Sequence, residues 1–202
     1  MAQPAVKDEP RHHNVFENDY VRVLDVWLAP GDTTQYHIHA TPSVFIMLTS
    51  TVTGSQPAGG EPIRSASVAG STWYDSLATQ RIHRVWNEDT AWFHPMDIEL
   101  VAGKARSNEP VLKDAALELL FDEPLVRGYK LTLPVKGNVQ LPASKTGYLL
   151  VSLGQAEVSL QSNAVIERRF MKAGHYCWAE AGKQLTIHNS NTIAAFRLLQ
   201  LK

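Results

Sequence analysis

The chain has 202 residues, of which 44% are hydrophobic and 19% charged, ordinary values for a folded globular protein. Its 19 basic and 20 acidic residues nearly cancel, and no run of Lys or Arg breaks the balance, which excludes the electrostatic footprint of a nucleic-acid or anionic-membrane binder. A single cysteine, Cys177, excludes an internal disulfide and a cysteine-based zinc cluster, and we expect it to be a small buried hydrophobe.

The sequence also bears on compartment. No apolar run approaches the roughly 18–20 residues of a membrane-spanning helix. The start of the chain lacks the apolar segment of a signal peptide, although it could be the mature end left after one was removed. We therefore expect a soluble protein, either cytoplasmic or periplasmic.

Most apolar stretches are short, rich in β-forming residues and bounded by turn residues, which predicts strands. In chain order the predicted strands are 20–28, 35–39, 43–49, 65–68, 80–86 and 92–100, then 126–133, 147–153, 156–160, 164–170, 184–189 and 194–201. Between the two groups, residues 111–120 form the one stretch that could hold a short helix. Strands so evenly spaced predict an all-β sandwich or jelly-roll barrel.

The two halves of the chain resemble each other. Residues 16–22 align with residues 121–127 at a spacing of 105, and each segment leads into an alternating apolar strand. Later in each half, Asn87 is matched by Asn189. Two related copies of this length predict a duplicated domain.

The duplication suggests a division of the chain into four parts. We expect an N-terminal arm at 1–14, a first barrel at 15–102, a linker at 103–120 and a second barrel at 121–202. The linker assignment depends on the segment 103–110, where Lys, Arg, Ser, Asn and Pro replace the strand pattern.

A group of histidines in the first half predicts a metal site. His37 and His39 lie one residue apart on a predicted strand, so alternation places both imidazoles on one face. His83 follows His39 by 44 residues, on another predicted strand, and could supply a third nitrogen ligand.

With these features the sequence resembles the cupins, and its duplication makes it similar to a bicupin. The first cupin motif is a Gly, five residues, His-x-His and then a Glu; Gly31, His37 and His39 fit it. The second motif ends in a His, three residues and an Asn, which His83 and Asn87 fit, although the expected Pro-x-Gly before the histidine is absent. The resemblance implies two tandem jelly-roll barrels with a metal motif only in the first.

The departure from the first motif is informative. The glutamate should fall at position 43 or 44, where the chain has Ser43 and Val44. The resemblance therefore implies a metal held by His37, His39 and His83 without a carboxylate. Three neutral imidazoles leave the full charge of a divalent ion in place, which favours an anionic chelating substrate or a bound water of lowered pKa. Resemblance to three-histidine cupin dioxygenases favours Fe, while Zn, Mn, Ni and Cu stay open.

Strand alternation suggests further residues that would face the metal. Gln35 shares the parity of the His-x-His pair, and Arg81 shares that of the third histidine. We expect both to position substrate, Arg81 by pairing with a carboxylate. The alternatives are that Gln35 ends the barrel face and that Arg81 is an exposed strand-end arginine. Phe45 and Met47 would continue the same face as an apolar wall.

The remaining histidines carry weaker signals. His12 and His13 lie in the polar N-terminal arm, where we expect both to be solvated. His94 could be an extra ligand or a pocket wall. In the second half, our alignment places other residue types at the ligand positions, which makes that half a structural one; they are Ala143, Lys145 and Leu185.

Two classes of function follow. The first is an Fe(II) dioxygenase-type enzyme acting on a small chelating organic molecule, or in another version a Zn, Mn or Ni lyase or isomerase. The second is a non-catalytic bicupin that binds or senses a small ligand. The family resemblance alone suggests a homodimer, and nothing in the sequence indicates a nucleic-acid or membrane partner.

Overall fold

The structure is a computed structural model that describes residues 3–162 and 165–202. The chain divides into two compact units, Met1–Gly103 and Lys104–Lys202. Of the predicted elements, the first two residues of the arm and Ala164 of the strand 164–170 lie outside the described residues. Within the described residues, no helix is long and apolar enough to cross a membrane.

From residue 3 onward, where the structure describes it, the first unit contains a 3-10 turn, Val6–Asp8, and nine strands in two antiparallel sheets. The strands are β1 (His12–Glu17), β2 (Arg22–Val26), β3 (His37–His39), β4 (Ser43–Met47), β5 (Thr51–Pro57), β6 (Ile63–Ser67), β7 (Thr72–Asp75), β8 (Arg81–Asn87) and β9 (Pro95–Glu99). One sheet has the order β1-β2-β9-β4-β7 and the other the order β3-β8-β5-β6.

The second unit repeats this arrangement. Its strands are β10 (Leu117–Asp122), β11 (Val126–Leu133), β12 (Asn138–Leu141), β13 (Tyr148–Ser152), β14 (Ala156–Ser162), β15 (Val165–Met171), β16 (Tyr176–Ala179), β17 (Leu185–Asn189) and β18 (Ala194–Leu201). The sheet orders are β10-β11-β18-β13-β16 and β12-β17-β14-β15, which match those of the first unit strand for strand. The predicted all-β fold of two like barrels is confirmed.

The likeness of the two units extends to an irregularity in the first strand of each. The pairing of β1 with β2 shifts register between Asn14 and Phe16. The pairing of β10 with β11 shifts in the same way between Leu119 and Phe121. A β-bulge of this kind inserts one extra residue and turns the strand. The shared bulge shows that the duplication preserves backbone detail as well as topology.

The predicted helix at 111–120 is wrong. Its last four residues belong to β10, which pairs with β11 along its length, and the preceding residues form turns and irregular backbone. Its apolar residues satisfy strand pairing, and tertiary contacts of this kind override a weak helical pattern. The sequence patterns also missed five other strands: β1, β5, β7, β12 and β16.

Asn87, the last residue of the second motif, and its counterpart Asn189 each stabilise a turn. Asn87 is buried, and its Nδ2 donates to the carbonyl oxygens of Leu28 at 3.1 Å and Ala91 at 2.8 Å. In the second unit, Asn189 Nδ2 donates in the same way to the carbonyl of Leu133. Asn87 and Asn189 therefore stabilise equivalent turns in the two units.

The interiors of the two units differ. Large side chains fill the second one, among them the fully buried Tyr129, Tyr148 and Phe196, and Cys177 is buried there as expected. The first unit instead encloses a cavity of about 620 Å³. The predicted metal ligands lie on the wall of this cavity.

Candidate metal centre

Two paired strands bring the three predicted ligands together. β3 runs antiparallel to β8, and His37 lies directly opposite His83. Residues opposite each other share a face, as do residues two apart on one strand, so all three imidazoles emerge on one side. His37 and His39 are buried and His83 is partly buried.

The geometry of the three rings suits a single ion. Their potential ligand atoms all lie within 4.8 Å of one another, and His37 Nε2 is 3.0 Å from His39 Nε2. Two nitrogens about 2.1 Å from a shared metal and at right angles would be about 3.0 Å apart. The donor set therefore fits a divalent metal with imidazole ligands.

The backbone orients one of these rings. His37 Nδ1 lies 2.8 Å from the carbonyl oxygen of Gln35, a contact in which the ring donates its Nδ1 proton. Nε2 then keeps its lone pair and faces the other histidines. Histidines that bind metals are oriented by such bonds from the other ring nitrogen to an oxygen acceptor.

Burial keeps the three imidazoles neutral. It lowers the pKa of His37 to about 4 and that of His83 to about 3, and the neighbouring basic groups add to the effect. The pKa of His39 lies still further below its ordinary value, because burial is combined with repulsion from the other two rings. Neutral imidazoles have the free lone pairs that metal coordination requires.

A buried carboxyl group, Asp97, lies behind this cluster and was missed in the sequence. Its Oδ2 is 3.4 Å from His39 Nδ1, which has no hydrogen-bond partner within the described part of the chain. Burial raises the pKa of Asp97 to about 7, and the charge of Glu99 adds to the effect. The available signal was an acidic residue between the apolar Met96 and Ile98, in a buried strand that also contains Glu99.

The cavity in front of the histidines has aromatic and apolar walls. Phe45 and Met47 line it, as expected. Trp73 also lines it and stacks on Phe45 with ring centroids 5.3 Å apart. Trp73 and Ile63 are exposed at 44% and 58%, so apolar surface of the cavity lining reaches solvent.

The two predicted substrate-positioning residues lie in different places. Arg81 lines the cavity, with Nη1 donating to Asp75 Oδ2 at 2.6 Å and Cζ 5.8 Å from the Phe45 ring centroid. The side chain of Gln35 is exposed and is not part of the cavity lining. Regular pairing of β3 begins only at His37, so the strand alternation does not extend back to Gln35.

The expectation that His12 is solvated is wrong. The residue is only 8% exposed and lines the cavity, because β1 pairs with β2 and places His12 opposite Val26. His12 Nδ1 lies 2.7 Å from Oε2 of Glu9, another buried residue. Its neighbour His13 is exposed, as expected.

His94 does not join the cluster. Its Nε2 lies 2.7 Å from Asp25 Oδ1, and Trp27 stacks on its ring at a centroid distance of 3.5 Å. His94 is not one of the described residues that line the cavity. The structure thus gives it a partner of its own.

The register of the second unit corrects the internal alignment. Leu141 pairs with Leu185 as His37 pairs with His83, so Leu141 occupies the place of His37. The sequence alignment puts Ala143 at that place, two residues too far along, because the loops between the strands differ in length. Lys145 lies beyond the end of β12.

Solved structures share this fold. Over 100% of this chain and 92% of the other, it matches the cupin 2 conserved barrel domain protein from Leptotrichia buccalis with a TM-score of 0.61 and 9% identity. The chain therefore has a bicupin fold.

Other solved structures match with similar scores. The protein YhaK from Escherichia coli gives a TM-score of 0.63 at 13% identity, over 100% of this chain and 98% of that chain. Salicylate 1,2-dioxygenase from Pseudoaminobacter salicylatoxidans, solved with gentisate, gives 0.63 at 8% identity, over 93% of this bicupin and 75% of that chain. No protein-family model matches the sequence, and no curated protein matches it. Identities this low show a shared fold alone.

Proposed function

We propose that this bicupin is a mononuclear Fe(II) enzyme of the dioxygenase type that acts on a small chelating organic molecule. One observation carries the proposal: His37, His39 and His83 converge as neutral imidazoles on the wall of a cavity of about 620 Å³. Ligand sets of this size leave metal positions open toward the cavity. A divalent metal there would bind the chelating substrate and activate dioxygen.

The protein's own residues would hold and orient the reactants. The Gln35 carbonyl fixes the ring of His37, and Asp97 lies behind His39 at 3.4 Å. The stacked rings of Phe45 and Trp73 would exclude water and offer a flat apolar surface to a planar substrate. These features support a hydroxy-aromatic or β-dicarbonyl compound as the substrate class.

Arg81 would attract the anionic group of such a substrate. Its Nη1 is engaged by Asp75, while its buried Nε has no hydrogen-bond partner within the described part of the chain. A guanidinium at the cavity wall with a free N–H group can donate a hydrogen bond to a carboxylate or phenolate oxygen. The structural match to a dioxygenase solved with gentisate agrees with an anionic aromatic ligand.

Metal analysis followed by oxygen uptake tests the proposal. Protein purified without added metal should contain iron, and iron-loaded protein should consume O₂ with one member of a panel of hydroxy-aromatic acids, β-diketones and thiols. His39→Ala should lose the metal and the uptake while keeping the β-sheet circular-dichroism spectrum. Arg81→Gln should raise KM for an anionic substrate more than it lowers kcat.

Three results would contradict the proposal. Iron-loaded protein that consumes no O₂ with any of these compounds would contradict the oxygenase. Zn, Mn or Ni as the native metal would favour a lyase or isomerase. Protein with no affinity for any divalent metal would favour a non-catalytic binding bicupin.

We also propose a homodimer, which the family resemblance alone supports. Analytical ultracentrifugation should give a sedimenting mass near twice that of the 22.4 kDa chain. A single species at the monomer mass would contradict this assembly.

A further inference from the structure

A fourth histidine stands beside the three proposed ligands. The His12 ring centroid is 4.8 Å from that of His37, the same spacing as between His37 and His83. His12 is 6.4 Å from His39 by the same measure, so His37 is its nearest partner in the cluster. The ring lies on the cavity wall and is 8% exposed.

The hydrogen bonding of His12 resembles that of His37. Its Nδ1 lies 2.7 Å from Glu9 Oε2, as His37 Nδ1 lies 2.8 Å from the Gln35 carbonyl oxygen. In each ring Nδ1 faces an oxygen acceptor, so Nε2 is the nitrogen that is available to a metal. A histidine that donates one ring proton to a carboxylate is the arrangement that recurs behind metal-bound imidazoles.

Glu9 is held in its charged form for this contact. Its side chain has no solvent exposure, and its oxygens accept hydrogen bonds from the backbone N–H groups of Arg11 at 2.8 Å and Gln35 at 3.1 Å. Burial alone would raise the pKa of the Glu9 carboxyl, but the bonds from His12 and these N–H groups lower it below the ordinary value. Arg11 Nη1 lies 3.7 Å from Glu9 Oε1, so this buried carboxylate is paired with a guanidinium as well as with His12.

The second unit supplies an independent observation. His12 pairs with Val26 and Leu117 pairs with Leu131 at the same distance from the shared bulge, so Leu117 is the counterpart of His12. The counterparts of His37 and His83 in the strand pairing are also apolar; they are Leu141 and Leu185. Three positions that are histidine in the first unit are thus apolar in the second, and His12 varies together with His37 and His83.

We propose that His12 is a fourth nitrogen ligand of the metal, with Glu9 as its carboxylate partner. This inference rests on the proposed metal site and deepens it. The cupin motif would place a carboxylate at position 43 or 44, where this chain has Ser43 and Val44. In this arrangement Glu9 supplies the negative charge instead, and it contacts the ligand His12 and not the ion itself. Four protein nitrogens would leave two open positions on an octahedral metal, so the substrate would bind the ion through one atom when dioxygen takes the other position.

Zinc affinity measured by competition with a chromophoric chelator tests the proposal. His12→Leu takes the residue that the second unit places at the same position, which favours folding. We expect it to weaken Zn²⁺ binding by about 10-fold or more, and Glu9→Gln to weaken it by about 10-fold through the loss of the carboxylate. His13→Leu is the matched control, because His13 is the exposed neighbour on the same strand, and it should bind as the wild type does.

A second measurement needs no variant to fold. Pulsed electron paramagnetic resonance of the Cu²⁺-loaded wild-type protein counts coordinated imidazoles, and four are expected. A count of three in the wild type, or unchanged zinc affinity in a folded His12→Leu protein, overturns the fourth ligand. His39→Ala separates the two proposals: if it abolishes zinc binding, the three-histidine site stands without His12, and if binding persists, the proposed function fails as well.

Discussion

Asp97 is a buried residue whose carboxylate oxygen Oδ2 lies 3.4 Å from Nδ1 of His39. A metal bound at Nε2 would leave the Nδ1 proton of His39 facing this oxygen, and such partners raise the basicity of the ligand. We expect Asp97→Asn to weaken divalent-metal binding by about 10-fold, measured by chelator competition. Asp25→Asn is the control, since Asp25 contacts His94 instead, and equal losses in the two variants would contradict a specific role.

At the same scale, the buried imidazoles make the stability of the metal-free protein depend on pH. The folded-state pKa values of His37 and His83, about 4 and 3, lie below the ordinary 6.5 that applies to the unfolded chain. Between about pH 4 and 6.5 the unfolded chain therefore binds protons that the folded chain excludes, and the free energy of unfolding falls as the pH falls. Asp97, with a pKa of about 7, acts in the opposite direction, but one carboxyl is outnumbered by the histidines.

The expected slope can be measured. With three histidines opposed by one carboxyl group, these groups should lower the free energy of unfolding by roughly 2 to 3 kcal/mol per pH unit near pH 5. Denaturant unfolding in the presence of a chelator at pH 7.5, 6 and 5 would show it. His83→Gln should reduce the slope by roughly 1 kcal/mol per pH unit, the contribution of about one proton. An unchanged slope in that variant would mean that His83 is not held neutral by the fold.

At the scale of the elements, the strand that carries His83 is positioned by a close contact with its neighbour. Trp86 on β8 lies over Gly54 on β5, and a Cβ on Gly54 would come within 2.0 Å of the indole ring. Gly54→Ala should therefore force the indole to move and destabilise the protein by about 1 to 3 kcal/mol, measured by denaturant unfolding. Gly154→Ala is the control, because no atom lies within 4 Å of its added Cβ, and a comparable loss there would refute the steric explanation.

The elements also show which parts of the site could be predicted from the sequence. His37, His39 and His83 follow from alternation and motif spacing, which depend only on regular strands. Gln35 lies just before the regular pairing of β3, so alternation does not describe it. His12 depends on strand pairing within the N-terminal segment, which carries no apolar alternation to reveal it.

The fold was predictable for a related reason. Twelve predicted strands correspond to observed ones, because hydrophobic alternation reflects burial on one face. The strands that were missed are short or polar; β12 for example has four residues, of which two are exposed. Asp97 was not predicted because strand β9 is buried on both faces. The alternation in its sequence therefore does not show which face Asp97 is on.

For the whole molecule, the duplication predicts an unequal pair of barrels. We expect one metal ion per chain, since the counterparts of the ligands in the second unit include Leu141 and Leu185, both buried. Leu185→Ala should destabilise the protein by about 2 to 5 kcal/mol while leaving the metal content at one ion per chain. His83→Ala should instead reduce the metal content. Two ions per wild-type chain, measured by plasma mass spectrometry, would contradict this asymmetry.

The bulge in β1 is a change of parity within a single strand. After the bulge, Phe16 pairs with Val23. Before it, His12 pairs with Val26, which is three residues further along β2 although His12 is four residues before Phe16. If the alternation set by Phe16 ran on without the extra residue, His13 would stand opposite Val26 and His12 would point away. One inserted residue therefore decides which of two adjacent histidines enters the barrel. In the second unit the same change of parity keeps Leu117 against the hydrophobic core, so a single backbone device serves packing in one barrel and brings a histidine to the cavity in the other.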